Sequence, residues 1–375
     1  FIPRKKVKPG QSLSYDLSIP SGNLNTIFPN LSILDNALFR GVLSADEKVS
    51  KVAIRIPKII FRGISFQDIN FQIDNQNPFF NTYISVGSII SSNFGFKDFN
   101  TMSKDSNDGV LFRTEFTVGD NGESKFELNY CYSLKNQKPV FELKKSIASI
   151  NSKQWLINPM DKSDHLFSFD ILTNKFDLNN FEAVSKNEKV AFSMRYLNAD
   201  DFNFELMANK VLIDRLDVSS KDFQMGGTLD LDIGFKRSLS NISLNIDGNV
   251  LGFNLNKLPM GDLSFFTEGN TEYNSYDINL LLSDGVNETL IGNGNLFGID
   301  EKPSLDIDLN FNDFNLSFLN PIGNGNIDNI RGKVSGDVNL SGSFDNLKHH
   351  GNLILNNSGL ALSLIHISEP TRQWQ

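Results

Sequence analysis

The segment from Ser304 to Ala361 alternates apolar and polar side chains with a period of two residues. Its first half places Leu305, Ile307, Leu309 and Phe311 between Asp and Asn residues, and its second half places Val334, Val338, Leu340 and Phe344 on one parity. Such alternation predicts β-strands with one apolar face and one polar face. No helical pattern in the segment is long enough to cover the apolar face. What that face contacts is therefore the central question about function.

Similar short strands recur along the chain, about twenty in all by this pattern. They are separated by Gly, Asn and Asp clusters such as Asp247-Gly248-Asn249 and Ser283-Asp284-Gly285, which are typical of turns. We predict an all-β fold: a long, curved, mostly antiparallel sheet rolled into an open hydrophobic groove, with few short helical connectors. Residues 1–12 are expected to be a connector or a truncated strand, and 13–361 a continuous run of groove repeats with a possible break near 140–165.

Composition limits the classes of partner. The net charge is −9 and the pI is about 5.1, which argues against nucleic-acid binding and against electrostatic docking on anionic headgroups. The chain has 32 Phe but only 7 Tyr and 2 Trp, a bias that suits a surface without polar tips. Its single cysteine, Cys131, excludes an intramolecular disulfide framework and is interpreted as a packed residue.

The sequence does not favour an enzyme or a cofactor site. Asp230 with Asp232, and Asp306 with Asp308, sit on the polar side of alternating strands, where nothing shifts a carboxyl pKa towards catalysis. Neighbouring side chains of a strand point to opposite faces, so the pair His349-His350 cannot easily share one metal ion. We therefore expect no catalysis, no metal and no cofactor.

The two ends of the chain are expected to be artificial boundaries. Leu362 to Gln375 reads LSLIHISEPTRQWQ, and its core is similar to the conceptual translation of a sequencing-library adapter. Residues 362–375 are accordingly predicted to be non-biological and are left out of the fold argument. The chain starts at Phe1 without an initiator Met, so we expect it to be an internal piece of a longer protein.

The apolar parity positions are the candidate functional residues, and their predicted role is the solvation of lipid hydrocarbon. A chain of about 16 carbons costs on the order of 12 kcal/mol to hold bare in water, and an apolar trough offsets most of that cost. A closed barrel or a two-layer sandwich, in which these faces pack on each other, is the alternative. The predicted lining residues are Leu229, Leu231, Ile233, Phe235, Leu244, Ile246, Phe253, Leu255, Leu305, Ile307, Leu309, Phe311, Val338 and Leu340.

The run from Asn326 to Leu360 resembles the TamB family of translocation and assembly module proteins. The resemblance lies in a G-x-V-x-G-x-x-x-L-x-G-[ST]-[FL]-x-[ND] pattern, here GKVSGDVNLSGSFDN, followed by GNLIL. It implies an AsmA-like repeating β-groove in the periplasm, with an N-terminal inner-membrane anchor and a C-terminal region that engages an outer-membrane barrel of the Omp85 type. It also implies a role in phospholipid transport, in outer-membrane protein assembly and secretion, or in both.

Two other functions fit the same pattern. A scaffold or chaperone-like protein would add strands of outer-membrane clients to its sheet edge. A surface adhesin would be built as a β-solenoid.

Overall fold

The computed structural model describes residues 8–20, 31–33, 35–91, 95–107, 109–119, 124–135, 138–150, 153–170, 175–215, 223–239, 241–270, 275–298, 302–323 and 327–362. Within them the chain is all-β, as predicted. It divides into two compact units, Phe1–Lys186 and Asn187–Gln375. The predicted helix-poor character is confirmed, because the helical elements of the described residues are the 3-10 turns Ile213–Arg215 and Leu316–Gly323.

The strands of unit 1 are β1 (Ser12–Ile19), β2 (Leu31–Ile33), β3 (Ala37–Ser44), β4 (Val49–Phe61), β5 (Ile64–Asp74), β6 (Thr82–Ile90), β7 (Gly95–Ser106), β8 (Gly109–Val118), β9 (Ser124–Lys135), β10 (Lys138–Leu143), β11 (Ser146–Ile150), β12 (Lys153–Ile157), β13 (Leu166–Asp170) and β14 (Lys175–Ser185). Those of unit 2 are β15 (Glu188–Asn198), β16 (Asp201–Leu212), β17 (Met225–Ser238), β18 (Asn241–Leu255), β19 (Leu258–Asn270), β20 (Ser275–Ser283), β21 (Glu288–Phe297), β22 (Ser304–Asn315), β23 (Ile327–Ser343) and β24 (Asn346–Leu362). From β15 to β24 each described strand pairs antiparallel with the next.

Bulges interrupt the strands of unit 2. The register shifts near Lys210 in β16 and near Gly252 in β18, and both residues have positive φ, 53° and 62°. A carboxylate on the neighbouring strand binds each displaced amide: Asp230 Oδ1 accepts from Lys210 N at 2.9 Å, and Asp262 Oδ1 accepts from Gly252 N at 2.7 Å. Bulges increase the local bend and twist of a strand. These acidic residues therefore stabilise curvature.

A bulge in unit 1 keeps apolar side chains on one face. Asp98 has a φ of 52°, and the register between β7 and β8 shifts beside it. As a result Phe96 and Phe99, which differ in parity, both contact the ring of Phe116, at centroid distances of 5.3 Å and 6.3 Å. Simple period-2 counting would have placed one of them on the polar face.

The pairing of unit 1 forks within residues 140–165, where the sequence suggested a break. The long strand β9 pairs with both β10 and β11, and β14 pairs with both β12 and β13. Buried Asn158 holds the fork together: its Nδ2 donates to the carbonyls of Leu143 and Lys162, at 2.8 Å and 2.9 Å. The boundary between the two compact units lies further along, after Lys186.

Two local predictions were wrong. Asp247-Gly248-Asn249 is not a turn but the middle of β18, because Gly248 leaves room for the ring of Phe265 on the adjacent strand. Phe344 does not continue the apolar parity of β23. It lies in the turn before β24, and 60% of its surface is exposed.

Candidate functional site

The strand register of unit 2 brings the predicted lining residues onto one face, here called the apolar face. The face consists of four cross-strand rows: Leu229–Val250–Leu263–Leu282–Leu290–Phe311–Gly336–Leu353, Leu231–Gly248–Phe265–Leu280–Gly292–Leu309–Val338–Gly351, Ile233–Ile246–Thr267–Ile278–Gly294–Ile307–Leu340–His349 and Phe235–Leu244–Gly269–Tyr276–Leu296–Leu305–Gly342–Leu347. Phe253 and Leu255 follow the bulge of β18, and there Phe253 packs in the same cluster as Val250.

The apolar face contains no Asp, Glu, Lys or Arg in any of the four rows. Apart from glycines, the residues of these rows whose side chains are not pure hydrocarbon are Thr267, Tyr276 and His349. The hydroxyl of buried Tyr276 donates to the carbonyl of Ile242 at 3.1 Å, so it is already engaged by the protein. A hydrocarbon chain lying across these rows would therefore meet no Asp, Glu, Lys or Arg side chain.

The apolar face is only partly covered. Of the fourteen predicted lining residues, Phe253 and Ile307 are buried, and the other twelve are half-buried. Side chains that fill a sealed core are normally buried on all sides. The partial exposure of twelve of these residues is therefore more typical of an open groove than of a closed barrel or sandwich.

The opposite, polar face carries a hydrogen-bonded network of amides and carboxylates. The Nδ2 of Asn339 lies 2.9 Å from Oδ1 of both Asp306 and Asp308, and Asn310 Nδ2 donates to Asp337 Oδ1 at 2.7 Å. Asp306 and Asp308 are thus exposed and engaged with an amide group. Half-buried Asp230 accepts hydrogen bonds from Asn209 Nδ2 and Lys210 N, both at 2.9 Å.

Elsewhere in unit 2 the pKa of Asp313 is lowered by the charge of Lys333, whose Nζ lies 3.4 Å from Oδ2. Both side chains are more than half exposed, so this pair is a surface ion pair.

One end of the apolar face is covered by the 3-10 helix Leu316–Gly323, here called the crossing helix. Leu316 and Phe318 pack against the core cluster formed by Ile213, Val250, Phe253, Met260, Leu282, Phe314 and Val334. The ring of Phe318 lies 5.7 Å from that of Phe314 and 6.4 Å from that of Phe223, which precedes β17. The crossing helix thereby reaches from β22 back to the start of β17 and closes this end of the face.

Unit 1 has its own apolar face, which is rich in aromatic rings and contains none of the predicted lining residues. Stacked pairs link Phe116 with Phe126 at 4.9 Å, Phe112 with Tyr130 at 5.2 Å, and Phe141 with Phe167 at 4.8 Å. The signal was present in the sequence, since Phe112 and Phe116, like Phe126 and Tyr130, are spaced by an even number of residues. The fork and the Asp98 bulge hide the continuity of this face in the sequence.

Nucleophiles and metal ligands do not cluster in the described part of the chain. Cys131 is buried, and no group of three or more His, Cys, Asp or Glu residues there could hold a metal ion. The register places His349 beside Leu340 and His350 beside Asn339, on opposite faces of β24. No helix among the described residues has the length and hydropathy needed to cross a bilayer.

Comparison with known proteins leaves the family open. No protein-family model, no curated protein and no solved structure matches this chain.

Proposed function

We propose that the chain is a section of a TamB-like periplasmic protein whose apolar face binds lipid acyl chains in transit between membranes. The observation that carries this proposal is the set of four uncharged rows across unit 2, in which twelve of the fourteen predicted lining residues are half-buried. An exposed apolar surface of that extent needs a ligand or a partner. No covalent chemistry is involved, and the bound chain is released unchanged.

The energetics favour hydrocarbon as the ligand. Burial of one CH₂ group is worth about 0.8 kcal/mol, so a chain of about 16 carbons gains on the order of 12 kcal/mol if it is fully covered. An open groove covers only part of each chain, so binding is weaker and exchange is faster. Weak, repeated contacts along equivalent rows suit movement along a groove better than tight binding in one pocket. No single lining residue is then essential.

The cellular setting rests on the resemblance of Asn326 to Leu360 to the TamB family. In this proposal the full-length protein is held at the inner membrane through an N-terminal anchor. It meets an outer-membrane Omp85-type barrel through a C-terminal region. Phospholipid acyl chains are the cargo, and the groove needs no cofactor.

Photocrosslinking at two positions of β22 tests the proposal. A photoreactive amino acid at the position of Phe311 lies on the apolar face, and one at the position of Asp308 lies on the polar face of the same strand. Lipid adducts confined to the Phe311 position are expected after irradiation in cells. Equal lipid labelling at both positions, or none at Phe311, would contradict the proposal.

A scaffold for outer-membrane clients is the second candidate, and the exposure of β24 favours it. This strand is 17 residues long, its described pairing is with β23, and Ile354 and Leu355 are 65% and 62% exposed. A long apolar edge strand is a template for an added strand. Protein adducts at Ile354, without lipid adducts at Phe311, would favour the scaffold. The antiparallel pairing from strand to strand lends no support to a β-solenoid adhesin.

A further inference from the structure

Three hydroxyl groups form a connected line, here called the hydroxyl seam, on the apolar face of unit 1. Thr101 Oγ1 lies 2.8 Å from Thr114 Oγ1, which in turn lies 3.0 Å from the hydroxyl of Tyr130. The residues belong to the adjacent strands β7, β8 and β9. Thr114 is buried, and the two ends of the seam, Thr101 and Tyr130, are half-buried.

Most neighbours of the hydroxyl seam are apolar. Thr101 pairs with Ile84, Thr114 pairs with Leu128, and the ring of Tyr130 stacks on Phe112. Buried Ser103, two residues further along β7, adds another hydroxyl to the same face beside Phe112. A hydrocarbon chain crossing this face would therefore meet aliphatic and aromatic groups and, around the seam, these hydroxyls.

One of the three O–H groups of the seam has no acceptor within the seam. Each hydroxyl has one proton to donate, so three hydroxyls have three protons, whereas the seam contains two hydrogen bonds. Whichever way the bonds run, one O–H has no acceptor within the seam, and the end oxygens keep lone pairs. Both ends of the seam are half-buried and therefore accessible to water. A lipid chain that displaces this water without replacing its hydrogen bond leaves a polar group unpaired, which costs free energy. A group that both accepts and donates would complete the seam.

The position of the seam indicates which part of a lipid it meets. Thr101, Thr114 and Tyr130 lie in the middle of their strands, several residues from the turns at either end. Headgroups and ester linkages need water and are expected near strand ends, whereas the middle of an apolar face contacts the interior of the hydrocarbon chain.

We propose that the hydroxyl seam selects lipids whose acyl chain carries a hydroxyl group. This inference rests on the proposed function, because it names the class of lipid that the unit 1 face prefers. The hydroxyl of the acyl chain accepts a hydrogen bond from the O–H of the seam that has no acceptor there. It donates a second hydrogen bond to an oxygen of the seam. Plain acyl chains still bind, without that gain.

Competitive displacement from the full chain tests the preference. A bound fluorescent fatty acid is displaced with octadecanoate, with 12-hydroxyoctadecanoate and with methyl octadecanoate. We expect the hydroxylated chain to displace the probe at about threefold to tenfold lower concentration than octadecanoate, the gain of one or two hydrogen bonds. In the triple variant Thr101→Val, Thr114→Val and Tyr130→Phe, which removes every hydroxyl of the seam and keeps the shapes of the side chains, the ratio should fall to about one.

The matched control is Thr117→Val, which removes a hydroxyl from the opposite face of β8, outside the seam. It should leave the preference unchanged. Equal affinity for the two acids, an equal gain with the methyl ester, or a preference that survives the triple variant would overturn the inference and leave the proposed function standing. Failure of all three lipids to displace the probe would overturn the proposed function and the inference together.

Discussion

The side-chain amide of Asn256 donates from Nδ2 to the carbonyl of Phe318 at 2.6 Å, joining the β18–β19 turn to the crossing helix 62 residues away. Oδ1 of the same side chain accepts from the backbone amide of Gln224 at 2.8 Å. One asparagine thus holds three segments of unit 2 together at the covered end of the apolar face.

We predict that Asn256→Asp destabilises unit 2 by about 1–2 kcal/mol, because a carboxylate keeps the bond from Gln224 but cannot donate to Phe318. Chemical denaturation followed by far-UV circular dichroism measures the change. The matched control is Asn279→Asp on the exposed polar face, which should change stability by less than about 0.5 kcal/mol. A similar loss in both variants would mean that charge, rather than the lost bond, is responsible.

The absence of a side chain at Gly248 in β18 leaves space for the ring of Phe265 on the adjacent strand. A Cβ added there would overlap the ring of Phe265, which packs against the core cluster. Gly248→Val is therefore expected to cost about 1–3 kcal/mol of stability. Gly234→Val is the control, because a Cβ at Gly234 meets nothing within 4 Å and Val favours strands. If both variants unfold at the same denaturant concentration, the close fit of Phe265 on Gly248 does not matter for stability.

The alternation of Leu305, Ile307, Leu309 and Phe311 was enough to predict the strand, its two faces and their chemistry, because period 2 is a local property of the chain. The sequence was misleading where glycine had a packing role. Asp247-Gly248-Asn249 has the composition of a turn, and only Phe265 on the neighbouring strand explains why it continues as β18.

The hydroxyl seam and the crossing helix could not be predicted for a related reason. Thr101, Thr114 and Tyr130 are unremarkable in sequence, and they meet only because the strand register aligns β7, β8 and β9. The contact of Asn256 with Phe318 spans too much chain for any local pattern to show it.

The turn after β20 should respond to acid. Asp284 Oδ1 accepts hydrogen bonds from the amides of Asn287 at 2.8 Å and Val286 at 2.9 Å, and these bonds lower the pKa of the carboxyl. A lowered folded-state pKa adds stability above the usual carboxyl pKa, and that stability is lost as the pH falls through the folded value. We expect the amide resonance of Val286 in NMR spectra to shift at a pH below the ordinary range of Asp. Asp284→Asn should abolish the step, and a midpoint at or above the ordinary value would contradict the assignment.

Paired charges can test which face of unit 2 binds lipid, as proposed for the apolar face. Leu309 and Val338 are directly opposite each other on the apolar face, and Asn279 and Asn293 are directly opposite each other on the polar face. Leu309→Lys with Val338→Lys places two ammonium groups in the path of the chain, where they interrupt hydrocarbon contact. Asn279→Lys with Asn293→Lys adds the same charge near Asp247 and Asp308.

We expect the Leu309/Val338 double variant to lose lipid crosslinking at the Phe311 position by tenfold or more, since two chain-contacting residues are removed and two charges would have to be desolvated. The Asn279/Asn293 variant should crosslink within about twofold of the unsubstituted chain, because both lysines remain in water on the polar face. Circular dichroism checks that each variant keeps its strand content. If the polar-face pair abolishes lipid labelling as completely as the apolar-face pair, net charge rather than an uninterrupted apolar surface controls lipid binding, and the groove proposal fails.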